Sequence, residues 1–500
     1  MLFRPRLLDL RIIGFYTGKL ILGIGFAMLL PLAVSLFTQE WNAALDFVIG
    51  SSVALAIGYL LLIVCRTRRE MGWLHGVLVV PIAWLAAMIF GAVPLYLSGH
   101  FASFLDAMFD TMSGFATTGL ALIQDLDHLS YGHNFWRHLT MFIGGQGIVV
   151  IMLTLMTGGA SGIYGMYVGE AREEKILPNL MHTARFIWLV SLIYLGVGTI
   201  TLSFTAWQIG LPPLRALFHG MTIFIAGFDT GGFSPQSQSI LYYHSAAFEL
   251  ATLPFMVAGG INFALHHALF SGNKREVFKN AEVLMLSTTV AVTFAVVAIA
   301  LSQVGAYGSA STVFRRGFYQ LISAHTGTGF MTIYGPQFPA LWGPLAMLGL
   351  VIAMGLGASV GSTAGGIKAL RIVAMLKALV LETKRVVLPP SAVIVERYHH
   401  LKKNTITDKL LLNAFLIGSA YVATYIIGAI IGAFFGYPFV NSVFESVSAT
   451  ANVGLTSGIT APSMPNALKV VYIIQMWVGR LEFISIMALI GFMISTVRGK

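Results

Sequence analysis

The sequence is short of charge, of acid and of cysteine, and each shortage excludes something. Charged residues make up 10% of the 500 positions, against about 25% in a soluble protein. A chain of this length could otherwise form two to four soluble domains, but this one cannot cover their surfaces. Cys65 stands alone, which excludes an internal disulfide and a multi-cysteine metal site. Twenty acidic residues against 30 basic ones leave a net charge of +10. In so apolar a chain basic residues mostly set topology, so no nucleic-acid surface is read from them. The first apolar run, 20–37, lacks a clear small-residue cleavage site, so it reads as a span rather than a removed leader.

What is present is hydrophobic: 57% of residues, with 53 glycines and a mean hydropathy of +0.81. Long charge-free runs point to a polytopic helical membrane protein rather than a barrel. Apolar spans are predicted at 20–37, 47–64, 77–97, 139–157, 186–207, 246–270, 283–301, 341–381, 410–435 and 467–496. Basic clusters fall in alternate connections: the N-terminal arginines, Arg66/Arg68/Arg69, Arg172/Lys175, Lys274/Arg275/Lys279, the stretch from Lys384 to Lys403, and Arg498/Lys500. This alternation places both termini in the cytoplasm.

The outer connections after the third, fifth, seventh and ninth spans each hold a short apolar stretch, at 101–114, 214–225, 312–325 and 439–451. Each is too short to cross and suits a re-entrant half-helix. The segments that follow align as Phe115-Ala-Thr-Thr-Gly119-Leu, Ile225-Ala-Gly227-Phe, Gly327-Thr-Gly329-Phe and Asn452-Val-Gly454-Leu, with glycines 108, 102 and 125 residues apart. The predicted fold is an all-α polytopic membrane protein. Four parallel helix–re-entrant pore loop–helix repeats surround a pseudo-fourfold pore, and an N-terminal pair of transmembrane helices is added. The boundaries are 1–72 for the extension and 73–170, 171–280, 281–404 and 405–500 for the repeats.

Such a unit suits a hard monovalent cation. Backbone carbonyls replace its water without fixed charge, and glycine permits the dihedrals that aim them inward. Half-helix C-termini add partial negative charge. The Thr117, Thr118 and Thr328 hydroxyls are candidate further ligands. Asp106, Asp110 and Glu445 are candidates for raising local cation concentration.

The run 341–381 has 41 residues; as one helix it would measure about 60 Å, twice the membrane core. Gly355-Leu-Gly-Ala-Ser-Val-Gly-Ser-Thr-Ala-Gly-Gly366 should break it into an intramembrane loop; the bland alternative is a small-residue packing face. A phosphate loop is excluded, because Lys368 falls one place late. Arg480 lies 13 residues into the last span, about 20 Å from its outer end. An arginine there faces water or a partner; Glu482, on another helix face, is a poor one. His266/His267 read as interfacial or cytoplasmic rather than as a metal pair, and Glu249 as solvated. Buried carboxylates are predicted to be scarce, which disfavours a proton- or sodium-coupled carrier, and no intramembrane enzyme motif occurs. The stretch 382–404 reads as a cytoplasmic connection, or as a docking surface.

The chain resembles the Trk/Ktr/HKT superfamily of potassium transporters over about 77–496. The likeness rests on Ser113-Gly-Phe-Ala-Thr-Thr-Gly119, Trp136-Arg137, Gly144-Gly-Gln-Gly147, Ala226-Gly227-Phe228, Thr328-Gly329-Phe330, Gly361-Ser-Thr-Ala-Gly-Gly-Ile-Lys368, Val453-Gly454-Leu455 and Gly479-Arg-Leu-Glu482. The extra N-terminal helix pair points to the bacterial TrkH/TrkG branch. The resemblance implies a potassium channel-like transporter of the bacterial inner membrane, not an enzyme. Its selectivity filter would comprise Thr117, Thr118, Gly119, Ala226, Gly227, Thr328, Gly329, Val453 and Gly454. Gating would fall to Gly355, Gly357, Gly361, Ser362, Thr363, Gly365, Gly366, Lys368 and Arg480. Potassium is the implied substrate, with no bound cofactor. The implied partners are a second copy in a homodimer, membrane lipid, and a cytosolic RCK-type subunit of the TrkA kind, through which alone nucleotide acts. Gly119, where sodium-preferring members carry serine, favours potassium. A cation-coupled symporter is the alternative.

Overall fold

The computed structural model describes residues 7–147, 160–171, 180–389, 391–392 and 394–498. Arg4, Arg6, Arg172, Lys175, Lys500 and the stretch 148–157 of the fourth predicted span lie outside these residues.

Helices Leu7–Ala27, Leu29–Phe37 and Trp41–Val64 form the N-terminal pair. The first span starts earlier than its apolar run, because Asp9 and Arg11 continue the helix; Asp9 is held by His75 at 2.9 Å. Small residues set the approach: a Cβ on Gly18 would press on the Gly58 carbonyl, and one on Gly58 would press back on Gly18.

Four units follow. Each has an outer helix, a half-helix and a return helix. The outer helices are Trp73–Leu97, Leu180–Gln208, Ala281–Val304 and Asp408–Phe434. The half-helices are Phe104–Phe115, Pro213–Phe228, Ala310–His325 and Phe439–Thr450. Their starts are local. Ser103 and Ser309 cap the first and third with side-chain oxygens. Pro213 occupies the first turn of the second, and Pro438 precedes the fourth.

The return helices depart from expectation. Only 341–381 was expected to break, yet among the described residues the second and fourth break as well, and the first ends early. The first, Tyr131–Gln146, ends at Gly147 with φ 93°. The second is Ala246–Gly260 followed by Phe263–Phe270, bent by 104°. The third is Gly343–Gly355, a loop, then Ala369–Val387. The fourth is Asn466–Arg480 followed by Ile484–Arg498, with a 112° bend. Asn262 caps the lower half of the second, and Glu482 and Phe483 turn the fourth with φ 49° and 71°. Among the described residues seven helices are long and apolar enough to cross a membrane, or nine with each bent pair as one span, where ten were predicted. The difference is the fourth span, whose described helix stops at Gln146. The stretch 382–404, expected as a connection, runs into an antiparallel hairpin, Arg397–His400 with Lys402–Thr405.

Candidate ion-conduction site

The four half-helices end alike. Each closes with an N–H bonded five residues back: Thr118 to Ser113, Gly231 to Ala226, Thr328 to Ser323, and Val453 to Ser448. The residue before each bonds three back: Thr117 to Gly114, Thr230 to Gly227, Gly327 to Ala324, and Asn452 to Ala449. This pair of bonds is a Schellman cap, which needs a left-handed residue. Thr117, Thr230, Gly327 and Asn452 take it, with φ of 50°, 51°, 74° and 54°. Threonine is rarely found there, so two of the caps are strained.

Two residues on, Gly119, Gly232, Gly329 and Gly454 also have positive φ, 91°, 70°, 84° and 93°. They interlock. A Cβ on Gly119 would strike the carbonyl oxygen of Gly231, one on Gly232 that of Thr328, one on Gly329 that of Val453, and one on Gly454 that of Thr118. Each glycine thus abuts the residue preceding the next glycine, and the ring closes from the fourth repeat onto the first. Four helix C-termini converge on it, with their partial negative charge.

The structure corrects the repeat alignment. Gly227 lies inside the second half-helix, which runs to Phe228, and its equivalents are Gly114, Ala324 and Ala449. Ala226 is likewise helical. Gly232 takes the ring position. The sequence offers two Gly-Phe pairs five residues apart, and only the second follows the Thr/Gly pattern of the other repeats.

The side-chain expectations divide. The Thr118 hydroxyl accepts from Asn452 Nδ2 at 3.0 Å, and that of Thr328 is 2.8 Å from the Thr326 hydroxyl. The Thr117 hydroxyl is buried with no hydrogen-bond partner among the described residues. Asp106, Asp110 and Glu445 do not serve as free attractors, because each is consumed by a partner. Lys469 donates to Asp106 at 2.6 Å. Arg137 donates twice to Asp110, at 2.8 and 3.2 Å, and its guanidinium lies 4.0 Å from the Phe233 ring, next to Gly232. Glu445 accepts from the Ser457 and Thr460 backbone N–H groups at 2.9 Å each. Glu249 is not solvated either; it is buried and holds Arg315 at 2.7 Å and Arg316. His266 is buried against Tyr194 and the Ala258 carbonyl. Buried carboxylates are therefore not scarce. They sit in half-helices, at helix starts and in helix breaks rather than mid-span.

Beneath the ring lie these helix ends. A Cβ on Gly144 would strike the Phe115 carbonyl, one on Gly259 that of Phe228, and one on Gly479 that of Thr450. In three repeats a glycine of the return helix therefore seats directly against the half-helix end. In the third repeat the loop between Gly355 and Lys368 occupies this level. Gly357 packs on the Gly365 carbonyl, Gly365 packs on that of Ala451, and Gly361 and Gly366 have φ of 67° and 73°. Ser362 donates to the Ser359 carbonyl at 2.6 Å. Thr363 donates its backbone N–H to Gly259, and its hydroxyl to Phe228 and Gly259 at 3.0 Å each.

Arg480 ties this loop across the centre, donating to the Thr363 carbonyl at 2.5 Å and the Gly144 carbonyl at 2.6 Å. With Ser362, Gly365, Lys368 and Glu482 it lines a small polar cavity. Lys368 donates to Ala364 and lies 3.9 Å from Glu482, which also pairs with Arg371. The loop is anchored from the hairpin side as well. Glu282 accepts from the Val360 N–H at 2.8 Å and faces His400 at 3.6 Å, while Glu276 holds His399 and the Leu401 N–H. Sequence reasoning did not single out Gly232, Asp229, Glu282 or Arg371.

The sequence pattern of the TrkH family, described as a cation transport protein, matches residues 44–495. An uncharacterized cation transporter of Methanocaldococcus jannaschii is 30% identical, over 94% of this chain and 93% of that protein. The Trk system potassium uptake protein TrkH of Escherichia coli K12 is 28% identical, over 95% and 96%. The crystal structure of the potassium transporter TrkH from Vibrio parahaemolyticus superposes with a TM-score of 0.79 at 25% identity, covering 96% of this chain and 98% of that one. The ring, the half-helices and the matches agree: this multi-pass membrane chain belongs to the TrkH cation transport family, a family of transporters rather than enzymes.

Proposed function

We propose that the chain carries potassium into the cell across the bacterial inner membrane, through a pore with the four-glycine ring as selectivity filter. The ring carries the reading. The Thr118, Gly231, Thr328 and Val453 carbonyls, each packed against the ring glycine of the preceding repeat, are held by backbone contacts rather than flexible side chains. They offer a cation oxygen ligands in place of its water. Names of relatives support potassium. One ring of glycines makes fewer strong sites than a long filter.

In this reading the loop from Gly355 to Lys368 is the gate, and Arg480, bonded to Thr363 and Gly144, is a central positive barrier. The loop must part from Arg480 for ions to pass. Both termini are cytoplasmic, two copies form a dimer, and a cytosolic RCK-type nucleotide-binding subunit moves the loop. The family resemblance supports these last features.

The test is rubidium uptake into proteoliposomes of purified protein, driven by a potassium gradient, with and without the loop residues 355–366. Uptake blocked by external potassium and weakly by sodium is the expected result. Absence of flux from a folded loop-deleted protein overturns the pore, and flux that strictly follows a proton gradient turns the reading to symport.

A further inference from the structure

We propose that Asp229 is the built-in counter-charge to Arg480 and sets how fast cations leave the ring toward the loop; the proposal rests on the transport reading above. Asp229 lies three residues before Gly232 and ends the second half-helix. The same position holds Ala116, Thr326 and Ala451 in the other repeats, so a single acid breaks the fourfold pattern. Its side chain is fully buried. One carboxyl oxygen accepts from Gln146 Nε2 at 2.8 Å, and Gln146 in turn accepts from the Ser191 hydroxyl at 2.7 Å. The other oxygen has no hydrogen-bond partner among the described residues.

The position is informative. A Cβ on Gly145 would run into the Asp229 carboxyl. The adjacent Gly144 gives its carbonyl to Arg480. Carboxylate and guanidinium therefore lie against neighbouring residues of one helix end, just below the ring. A buried carboxylate without a cation nearby is strongly unfavourable, and so is an arginine at membrane depth. Each supplies what the other needs. Among the described residues, other charges near the cavity are Lys368 and Arg371, which share Glu482, Glu282 near Lys368, and Glu170 on the cavity wall. Glu170 is the competing counter-charge.

A potassium ion leaving the ring meets Arg480 with Asp229 beside it. With the acid present the field is nearly balanced. With Asp229 replaced by asparagine the barrier is less compensated and stands higher. A unit charge about 10 Å away, at an effective dielectric constant near 20, changes the rate roughly ten-fold. The ring itself is untouched, so apparent affinity for external potassium should hold.

The experiment is a cycle of four full-length proteins: wild type, D229N, R480Q and the double variant. Rubidium flux in proteoliposomes and thermal unfolding of the purified protein are read in parallel. D229N is expected to lower maximal flux about ten-fold with the potassium concentration for half-maximal flux unchanged. In the R480Q background the same substitution should change flux less than two-fold. Each single variant should unfold at lower temperature than the double variant, because each removes one side of a buried pair of opposite charges and keeps the other. Loss of flux that persists in the R480Q background, a double variant no more stable than its parents, or an E170Q variant that reproduces the cycle in place of D229N would each overturn the assignment. Where the loop keeps the wild type silent, the stability cycle alone decides the pairing, and the transport reading stands or falls on the loop-deleted protein.

Discussion

Alanine at two glycines five residues apart separates the ring seen in the structure from the alignment that the sequence favours. Gly232 has φ 70°, and a Cβ there would meet the Thr328 carbonyl. Holding alanine in that conformation costs roughly 1–2 kcal/mol, before the collision is counted. The neighbour is backbone, so relief comes only by moving the Thr328 carbonyl, itself a proposed ligand. A shift worth 1.4 kcal/mol in ligand geometry is about a ten-fold change in preference. Gly227 lies in helix, and its Cβ would sit 3.3 Å from Phe330 Cε2, at the edge of a side chain. Alanine there gains up to about 1 kcal/mol of helix propensity, less a small adjustment of that ring. Growth of a potassium-uptake-deficient strain on low potassium, with sodium competition for rubidium uptake, reads both. G232A should lose at least ten-fold in potassium-over-sodium preference, and G227A should stay within two-fold of wild type. The reverse ranking would refute the ring as drawn and restore Gly227 to it.

Three further outcomes are expected. Asp110→Asn leaves the buried Arg137 guanidinium without its acid, a loss of about 3–5 kcal/mol; thermal unfolding in detergent should fall sharply and recover in part with Arg137→Met added. Glu282→Ala removes the acceptor of the Val360 N–H, a charge-assisted bond of about 1.5–3 kcal/mol; rubidium flux without any added subunit should rise about ten-fold, and unchanged flux would show that this tether does not hold the loop. At the hairpin, Lys384 and then Lys377 hold the Glu396 carboxyl below its usual range. A depressed carboxylate stabilises above its unfolded value, and that contribution fades as pH falls through the folded one. Protease nicking at the hairpin should stay low near neutral pH and appear only below about pH 4, whereas E396Q should be nicked at every pH; an acid-independent wild type contradicts the tether.

Where hydrophobicity and length decide, the sequence was readable. The third and fourth half-helices were expected at 312–325 and 439–451 and run Ala310–His325 and Phe439–Thr450. The break after Gly355 followed from a run too long for one crossing. The breaks in 246–270 and 467–496 were hidden because those lengths fit one tilted helix. What breaks them is tertiary: Gly259 and Gly479 seat on half-helix carbonyls of Phe228 and Thr450. The carboxylates were misread for a similar reason. Asp106 and Lys469 lie 363 residues apart, and nothing local announces their pairing. The Gly227 register failed because the helix runs to Phe228, past the stretch that hydropathy marked. The parts that remained hidden are set by contacts distant in sequence, within a repeat at the breaks and between repeats at Asp106 and Lys469.

The ring closes head to tail within a single chain, with each glycine resting on the following repeat. In a homotetramer any substitution at such a position is applied four times at once. Here it is met once, so the lining can change by quarters. The left-handed caps already differ, as Thr117, Thr230, Gly327 and Asn452, while the carbonyl ring they support keeps its form. One quadrant can carry an acid, another a loop and a third an arginine, and none needs to be compatible with three copies of itself.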